Sequence, residues 1–386
     1  MWKHVAANGM SFLIVALIAA AAALGWGQRQ WVGDGPLEVA AFFEVEQGDT
    51  LARVSERLQA AGAIRSAVVF RVGVRTVERS GDLRFGNYEI PAGASMEEVL
   101  DIVTAGGPSS FRYRAIYVLR NSGTGQLRLS ERLPGTGEVE EIARFAYEEG
   151  VPAEYAALVD AGTPMSYRLV IPEGLTSWQV VQGLMAADFL DGEVLDIPAE
   201  GMLAPTTIEV NRGEDRAGLL AEMQVSQERI LAEAWENRAE GIPISTPEEA
   251  LILASTIEKE TSVPEERGRV ASVFTNRLNQ GMRLQTDPTV IYGVTNGRGI
   301  LGRGLRQSEL RAETPWNTYV IDGLPPTPIA NPGRDAIEAA LNPDTSDFIF
   351  FVADGTGGHA FAVTLDEHNR NVARWREIEA ERNSGN

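Results

Sequence analysis

The chain has 386 residues, with 34 Lys and Arg against 54 Asp and Glu, a formal net charge of −20 and no cysteine. The length implies about two or three domains. The acidity excludes a broad nucleic-acid footprint, which needs clustered cations, and the missing cysteine excludes disulfides, thiolate nucleophiles and Cys-based metal sites. In chain order, residues 1–9 read as a cytoplasmic tail and residues 10–27 as a transmembrane anchor, because Met10 to Trp26 is almost purely apolar. About 20 residues cross a bilayer, with a lower limit near 17. Trp26 and Trp31 are expected at the far membrane interface. The small residues Ala19 to Ala23 leave a cleaved signal peptide as the rival reading; an uncleaved anchor is preferred because the apolar run continues past them. Residues 28–39, with Gly33, Gly35 and Pro36, read as a linker.

A strand-turn-helix pattern then occurs three times, around Val45-Glu-Gln-Gly48, Ile90-Pro-Ala-Gly93 and Ile171-Pro-Glu-Gly174. Glycine follows the aliphatic residue by three positions and valine (Val54, Val99, Val180) by nine. Thr50, Ser95 and either Thr176 or Ser177 are the expected helix N-caps. The first copy resembles a LysM glycan-binding module, and residues 40–108 are assigned to it; a generic strand-turn-helix without a ligand has the same pattern. Residues 109–165 read as an insertion. In it, a strand pair surrounds Asn121 to Gly125, and two acidic helices meet at Gly150-Val-Pro152. Residues 166–386 form the expected catalytic domain.

The informative helix begins at Thr246, an N-cap followed by Pro247 and by Glu249 in a capping box. Ala250, Leu253, Ala254 and Ile257 follow at helical spacing, and Glu260 or Thr261 continues their stripe. Glu258 lies two residues back from Glu260, about 200° around the helix, so the two acids do not share a face. A carboxyl among aliphatic neighbours stays protonated near neutral pH, and cleaving a glycosidic bond needs such an acid. A polar, turn-rich strip follows, Gln285-Thr286-Asp287-Pro288-Thr289. Further on, Phe348–Val352 and His359–Val363 read as a returning hairpin around Asp354 to Gly358. A lone histidine at such a turn is more often structural than catalytic. No HExxH, GxGxxG, P-loop or Gly-x-Ser-x-Gly pattern occurs, so neither a metal nor another cofactor is expected.

ILASTIEKET, RVASVFTNRLNQGMRLQTDPTVIYG, WNTYVIDGLPPTPIANPG and FFVADGTGGHAFAVTLDEHN, densely arranged over residues 246–371, resemble the YceG-like endolytic murein transglycosylases, the MltG family. The resemblance implies an α+β chain: a membrane anchor, a small LysM-like strand-turn-helix module and a mixed α/β catalytic domain. It implies a single-pass inner-membrane protein with its bulk in the periplasm, acting on the glycan strands of peptidoglycan beside peptidoglycan synthases. It implies Glu260 as catalytic acid, since the family uses the second acid of EKE. Gln285, Asp287, Asn317 and Tyr319 are then the expected substrate-binding residues, although Asp287 before Pro288 is equally a turn residue. The implied reaction is cleavage between MurNAc and GlcNAc with formation of 1,6-anhydro ends. A muramidase using Asp287 as second carboxylate and a non-catalytic wall-binding scaffold are the alternatives. The chain departs from the family pattern in the segment 111–165 and at Ile208, where the family has an aromatic residue.

Overall fold

The computed structural model describes residues 2–106 and 109–384. Helix α1 (Trp2–Val32) contains the one stretch among the described residues that is long and apolar enough to cross a membrane: Met10–Val32, with a mean hydropathy of 2.1 and none of it buried. The helix runs past Gln28, where a linker was expected. The Trp31 ring lies 5.9 Å from that of Phe70, and a Cβ on Gly73 would come within 2.2 Å of it. Gly35 N–H donates to Gly93 O, and Gly93 N–H to Leu37 O, both at 2.9 Å. The expected linker is therefore partly helical and partly hydrogen-bonded to the segment that follows.

The chain divides into two compact units, Met1–Ala115 with Arg128–Arg144 and Pro152–Ser166, and Ile116–Leu127 with Phe145–Val151 and Tyr167–Asn386. In the first, β1 (Ala41–Val45) is followed by α2 (Leu51–Ala60), α3 (Ala67–Thr76), β2 (Gly86–Ile90) and α4 (Met96–Ala105). Strands β1 and β2 pair antiparallel, Ala41 opposite Ile90 and Val45 opposite Gly86. Phe43, Val54, Leu58, Phe70, Ile90 and Val99 share their core.

Next come β3 (Tyr113–Leu119), β4 (Gly125–Arg132), β5 (Val139–Ala146), α5 (Ala153–Asp160), β6 (Met165–Ile171), α6 (Ser177–Ala186), β7 (Leu190–Asp191), β8 (Thr206–Val210) and β9 (Glu214–Asp215). The five-stranded sheet has the order β5-β4-β3-β6-β8, while β7 pairs with β9. Residues 139–146 thus form a strand where an acidic helix was expected. Strand pairing against β4 outweighs the helical preference of Glu140 and Glu141. Ile208 stands on β8 opposite Leu169 of β6.

The three repeated units are strand-turn-helix, as their spacing predicts. Gly48, Gly93 and Gly174 have φ of +84°, +69° and +77°, a region side chains rarely tolerate. Thr50, Ser95 and Thr176 cap α2, α4 and α6 with their hydroxyls.

The remaining elements are α7 (Arg216–Glu236), α8 (Pro247–Glu260), α9 (Arg267–Asn279), α10 (Asp287–Thr295), α11 (Gln307–Leu310), α12 (Arg334–Leu341), β10 (Phe350–Ala353), β11 (His359–Ala362) and α13 (Leu365–Ser384). Helix α8 is buried from Ala250 to Ile257. Leu253, Ile257, Val270, Phe274 and Ile337 form its core, with Phe351 and Phe361 of the β10–β11 hairpin packed against them. Thr246 Oγ1 accepts from Glu249 N–H at 3.2 Å, and the Glu249 carboxylate reaches Ser245 N–H at 2.7 Å. The capping box is therefore displaced by one residue on its return bond.

Candidate active site

Glu260 is the last residue of α8, one turn beyond Ile257. Its carboxylate accepts a hydrogen bond from Thr286 Oγ1. Burial pushes the Glu260 carboxyl above the ordinary glutamate range, helped by the charge of Asp287 and opposed by the Thr286 hydroxyl and by His359. The aliphatic stripe leads to this environment, because an α8 buried along its length ends with its last carboxyl still shielded.

Thr286 belongs to a strip pinned from below. Gln285 adopts a left-handed conformation, φ +52°, and its N–H donates to Thr318 O at 3.1 Å. Thr286 N–H donates to Thr318 Oγ1 at 3.1 Å, and the hydroxyls of Thr289 and Thr318 meet at 2.9 Å. Arg277 Nη1 donates to Leu284 O at 2.9 Å and approaches Gln285 Oε1 at 3.4 Å. Asp287 opens α10, and its Oδ1 accepts from the Tyr319 hydroxyl at 2.7 Å. The expected residues Gln285, Asp287 and Tyr319 therefore come together with Glu260: Tyr319 feels the charges of both Asp287 and Glu260, and its hydroxyl is raised in pKa chiefly by burial.

Asn317 differs from its expected place. Its side chain is fully buried. Its amide donates to the carbonyls of Glu309, Leu310 and Ala312, at 3.1, 3.2 and 2.7 Å, while its Oδ1 accepts from Tyr319 N–H at 3.0 Å. With its amide hydrogens taken by the loop that presents Tyr319 and the side chain fully buried, it presents no donor to a ligand.

Glu258 also departs from the sequence picture. It faces away from Glu260, yet its side chain is only 6% exposed. Its Oε2 accepts from Gly333 N–H at 3.1 Å, and Arg267 Nη2 stands 3.8 Å from its Oε1. Burial raises it to about 7, with Glu173 adding to the rise and Gly333 and Arg267 opposing it. An elevated pKa thus does not single out Glu260; the partners do. Glu258 faces backbone and an arginine, whereas Glu260 faces the Thr286–Asp287–Tyr319 set. Lys259 between them donates to Gly174 O at 3.2 Å and lines a cleft of about 320 Å³ with Tyr292 and Pro288.

Sequence reasoning read His359 as a structural turn histidine and did not single out Glu266. Glu266 accepts from the His359 N–H at 3.0 Å and pairs with His359 Nδ1 at 2.8 Å. They are 93 residues apart, so no local spacing announces the pair. Thr286 had a local signal in its position between Gln285 and Asp287, but a lone threonine in a turn carries little weight.

A model of the YceG-like family matches residues 43–134 and 144–374. The match runs through most of the segment that the sequence reading set apart as an insertion. The endolytic murein transglycosylase of Bacillus subtilis (strain 168) is 36% identical over 173 residues, 45% of this chain and 47% of that protein. The endolytic murein transglycosylase of Streptococcus pneumoniae serotype 2 (strain D39) is 27% identical over 392 aligned positions, 96% of this chain and 65% of that protein. The chain thus spans less than two thirds of the length of these relatives. A 2.6 Å crystal structure of a putative yceG-like protein from Listeria monocytogenes aligns with a TM-score of 0.45 and 23% identity, covering 86% of this chain and 98% of that one.

Proposed function

The chain belongs to the YceG-like family, and from that premise we propose that it is an endolytic murein transglycosylase with Glu260 as its acid. The observation that carries the reading is the shielded Glu260 carboxyl, held by Thr286 and faced by Asp287 and Tyr319. A carboxyl that burial holds above the ordinary glutamate range keeps its proton to higher pH and donates it to the oxygen linking MurNAc C1 to GlcNAc. As that bond breaks, the MurNAc C6 hydroxyl attacks C1, its proton passes to the Glu260 carboxylate just formed, and a 1,6-anhydro end results with the acid restored. Since the nucleophile is part of the same sugar, proximity replaces an activated water. Gln285, Asp287 and Tyr319 orient the glycan, and Asn317 acts indirectly by holding the Tyr319 loop.

The apolar Met10–Val32 segment supports membrane anchoring, with the remainder outside the cytoplasm, beside the synthases that supply nascent strands. The βααβ arrangement of β1, α2, α3 and β2 supports a LysM-like, glycan-holding role for residues 40–108. A reporter active only outside the cytoplasm, fused after residue 386, tests the orientation; an expressed but silent fusion reverses it. For the reaction, full-length protein in detergent is incubated with purified sacculi and the released fragments are weighed by mass spectrometry. Anhydro-ended fragments are expected. Reducing ends alone would assign hydrolysis instead, and no release at all would leave only wall binding.

A further inference from the structure

The end of α1 is clamped to the folded module that follows it. The Trp31 ring lies 5.9 Å from that of Phe70, and a Cβ on Gly73 would stand 2.2 Å from it, so a glycine on α3 is what admits the indole. Arg65 Nη2 donates to Asp34 O at 3.0 Å, and Gly35 N–H donates to Gly93 O at 2.9 Å. Helix α3 is thereby held at a fixed height beside α1. Its inner face is buried through Phe70 and Val74. On its outer face Val68 and Val72 are 61% and 58% exposed, and the exposed Arg75 follows them at helical spacing. Between these valines and α1 runs an open groove of about 490 Å³, lined by Leu24, Trp26 and Gly27 of α1 and by Val68, Val72 and Val77.

Height and charge decide what covers this face. About 20 residues fill the hydrocarbon core of a bilayer, so a span that begins at Met10 emerges near Arg29. At about 1.5 Å per residue, Gly27 and Leu24 then lie about 3 to 8 Å below the boundary. An interfacial amphipathic helix buries its apolar face to that depth, so the groove opens into lipid rather than into water. Residues 65–79 carry Arg65, Arg71, Arg75 and Arg79 against Glu78 alone, in a chain of net charge −20. Arg71 pairs with Glu56 at 3.1 Å, and Arg79 pairs with Asp82 and Asp101. Arg65 and Arg75 are exposed. We propose that α3 lies on the bilayer surface at the C-terminal end of α1, its valines among the acyl chains and Arg65 and Arg75 at the phosphates of anionic lipids. The long arginine stems let the guanidinium groups reach the phosphates while the helix stays shallow. Two membrane contacts, α1 and α3, then fix the orientation of the module, where one helix alone would leave it free to swing.

This contact rests on the reading of α1 as a membrane anchor, and the test reads the two separately. The chain has no cysteine, so Ile18→Cys, Val68→Cys and Val72→Cys each supply a single thiol for a fluorescent label in the full-length protein. The labelled chains are reconstituted into vesicles of phosphatidylcholine, with or without phosphatidylglycerol, and thermal melts check the fold. A deep lipid nitroxide should quench the label at position 18, in the middle of α1. A shallow one should quench the labels at 68 and 72, several-fold more than aqueous acrylamide does. Phosphatidylglycerol should strengthen that shallow quenching, and Arg75→Gln should reduce the gain. Acrylamide quenching at 68 and 72 without lipid quenching would overturn the contact, as would protection from both quenchers, the result of a covering protein segment; a quenched label at 18 leaves the anchor standing in either case. Lipid quenching that ignores phosphatidylglycerol, or a gain that Arg75→Gln leaves whole, would overturn the arginine–phosphate contact. A label at 18 beyond reach of the deep nitroxide would overturn the anchor and the contact with it. Positions 68 and 72 report independently, so a variant that fails to fold leaves the other to decide.

Discussion

At the scale of single residues, two shielded glutamates two positions apart have separate consequences. Glu260→Gln keeps the shape but can neither give nor take a proton, so release of anhydro-ended fragments should fall by about 10²–10⁴-fold, measured by mass spectrometry. Because burial raises Glu260, the same variant should be neutral or slightly stabilising at pH 7. Glu258→Gln should keep most of the activity, since an amide oxygen still accepts from Gly333 N–H. Its effect is on stability. Glu258 rises from an ordinary 4.5 to about 7 on folding, so the folded state binds its proton more tightly than the unfolded one. Its contribution is present in full below about pH 4.5 and is lost as the pH climbs to about 7. Urea midpoints of the wild type should fall across that window, and Glu258→Gln should flatten the decline; an equal slope in both proteins would remove Glu258 as its source.

At the scale of elements, α8 illustrates how local signals position a distant group. Thr246 and Pro247 begin the helix, and thirteen residues later the stripe ends on Glu260. Thr246→Ala deletes the bond to Glu249 N–H and should cost about 1 kcal/mol, read as a lower denaturant midpoint with an unchanged slope. An activity loss larger than the stability loss explains would mean that the cap also sets the position of Glu260. Helix ends, caps and glycine turns were legible because each depends on neighbours a few residues away, as at Gly48, Gly93 and Gly174. Strand β5 was not, because pairing with β4 decides it, and partner strands lie outside any local window. Asn317 was misplaced for a related reason: a polar residue in a proline-bounded loop looks the same whether its amide faces a ligand or three carbonyls of its own chain.

At the scale of the whole molecule, the proposed division of labour is separable. Deleting residues 40–108 should weaken binding to insoluble sacculi more than it slows cleavage of short soluble glycan fragments, because every group assigned to the chemistry lies beyond residue 259. Equal losses in a folded deletion would mean that these residues help to form the site. What the sequence determined by itself is the apolar N-terminal helix, the three strand-turn-helix units, the buried α8 and the acid at its end, since all follow from periodicity, turn chemistry and caps. The family resemblance further marked Gln285, Asp287 and Tyr319. Only the tertiary structure decided that Trp31 packs against Phe70, that Glu258 is shielded and bonded to Gly333, that Asn317 is spent on its own loop, and that Glu266 grips His359. Each of these joins residues through space, and the burial and hydrogen-bond partners that define their chemistry do not exist until the chain has folded.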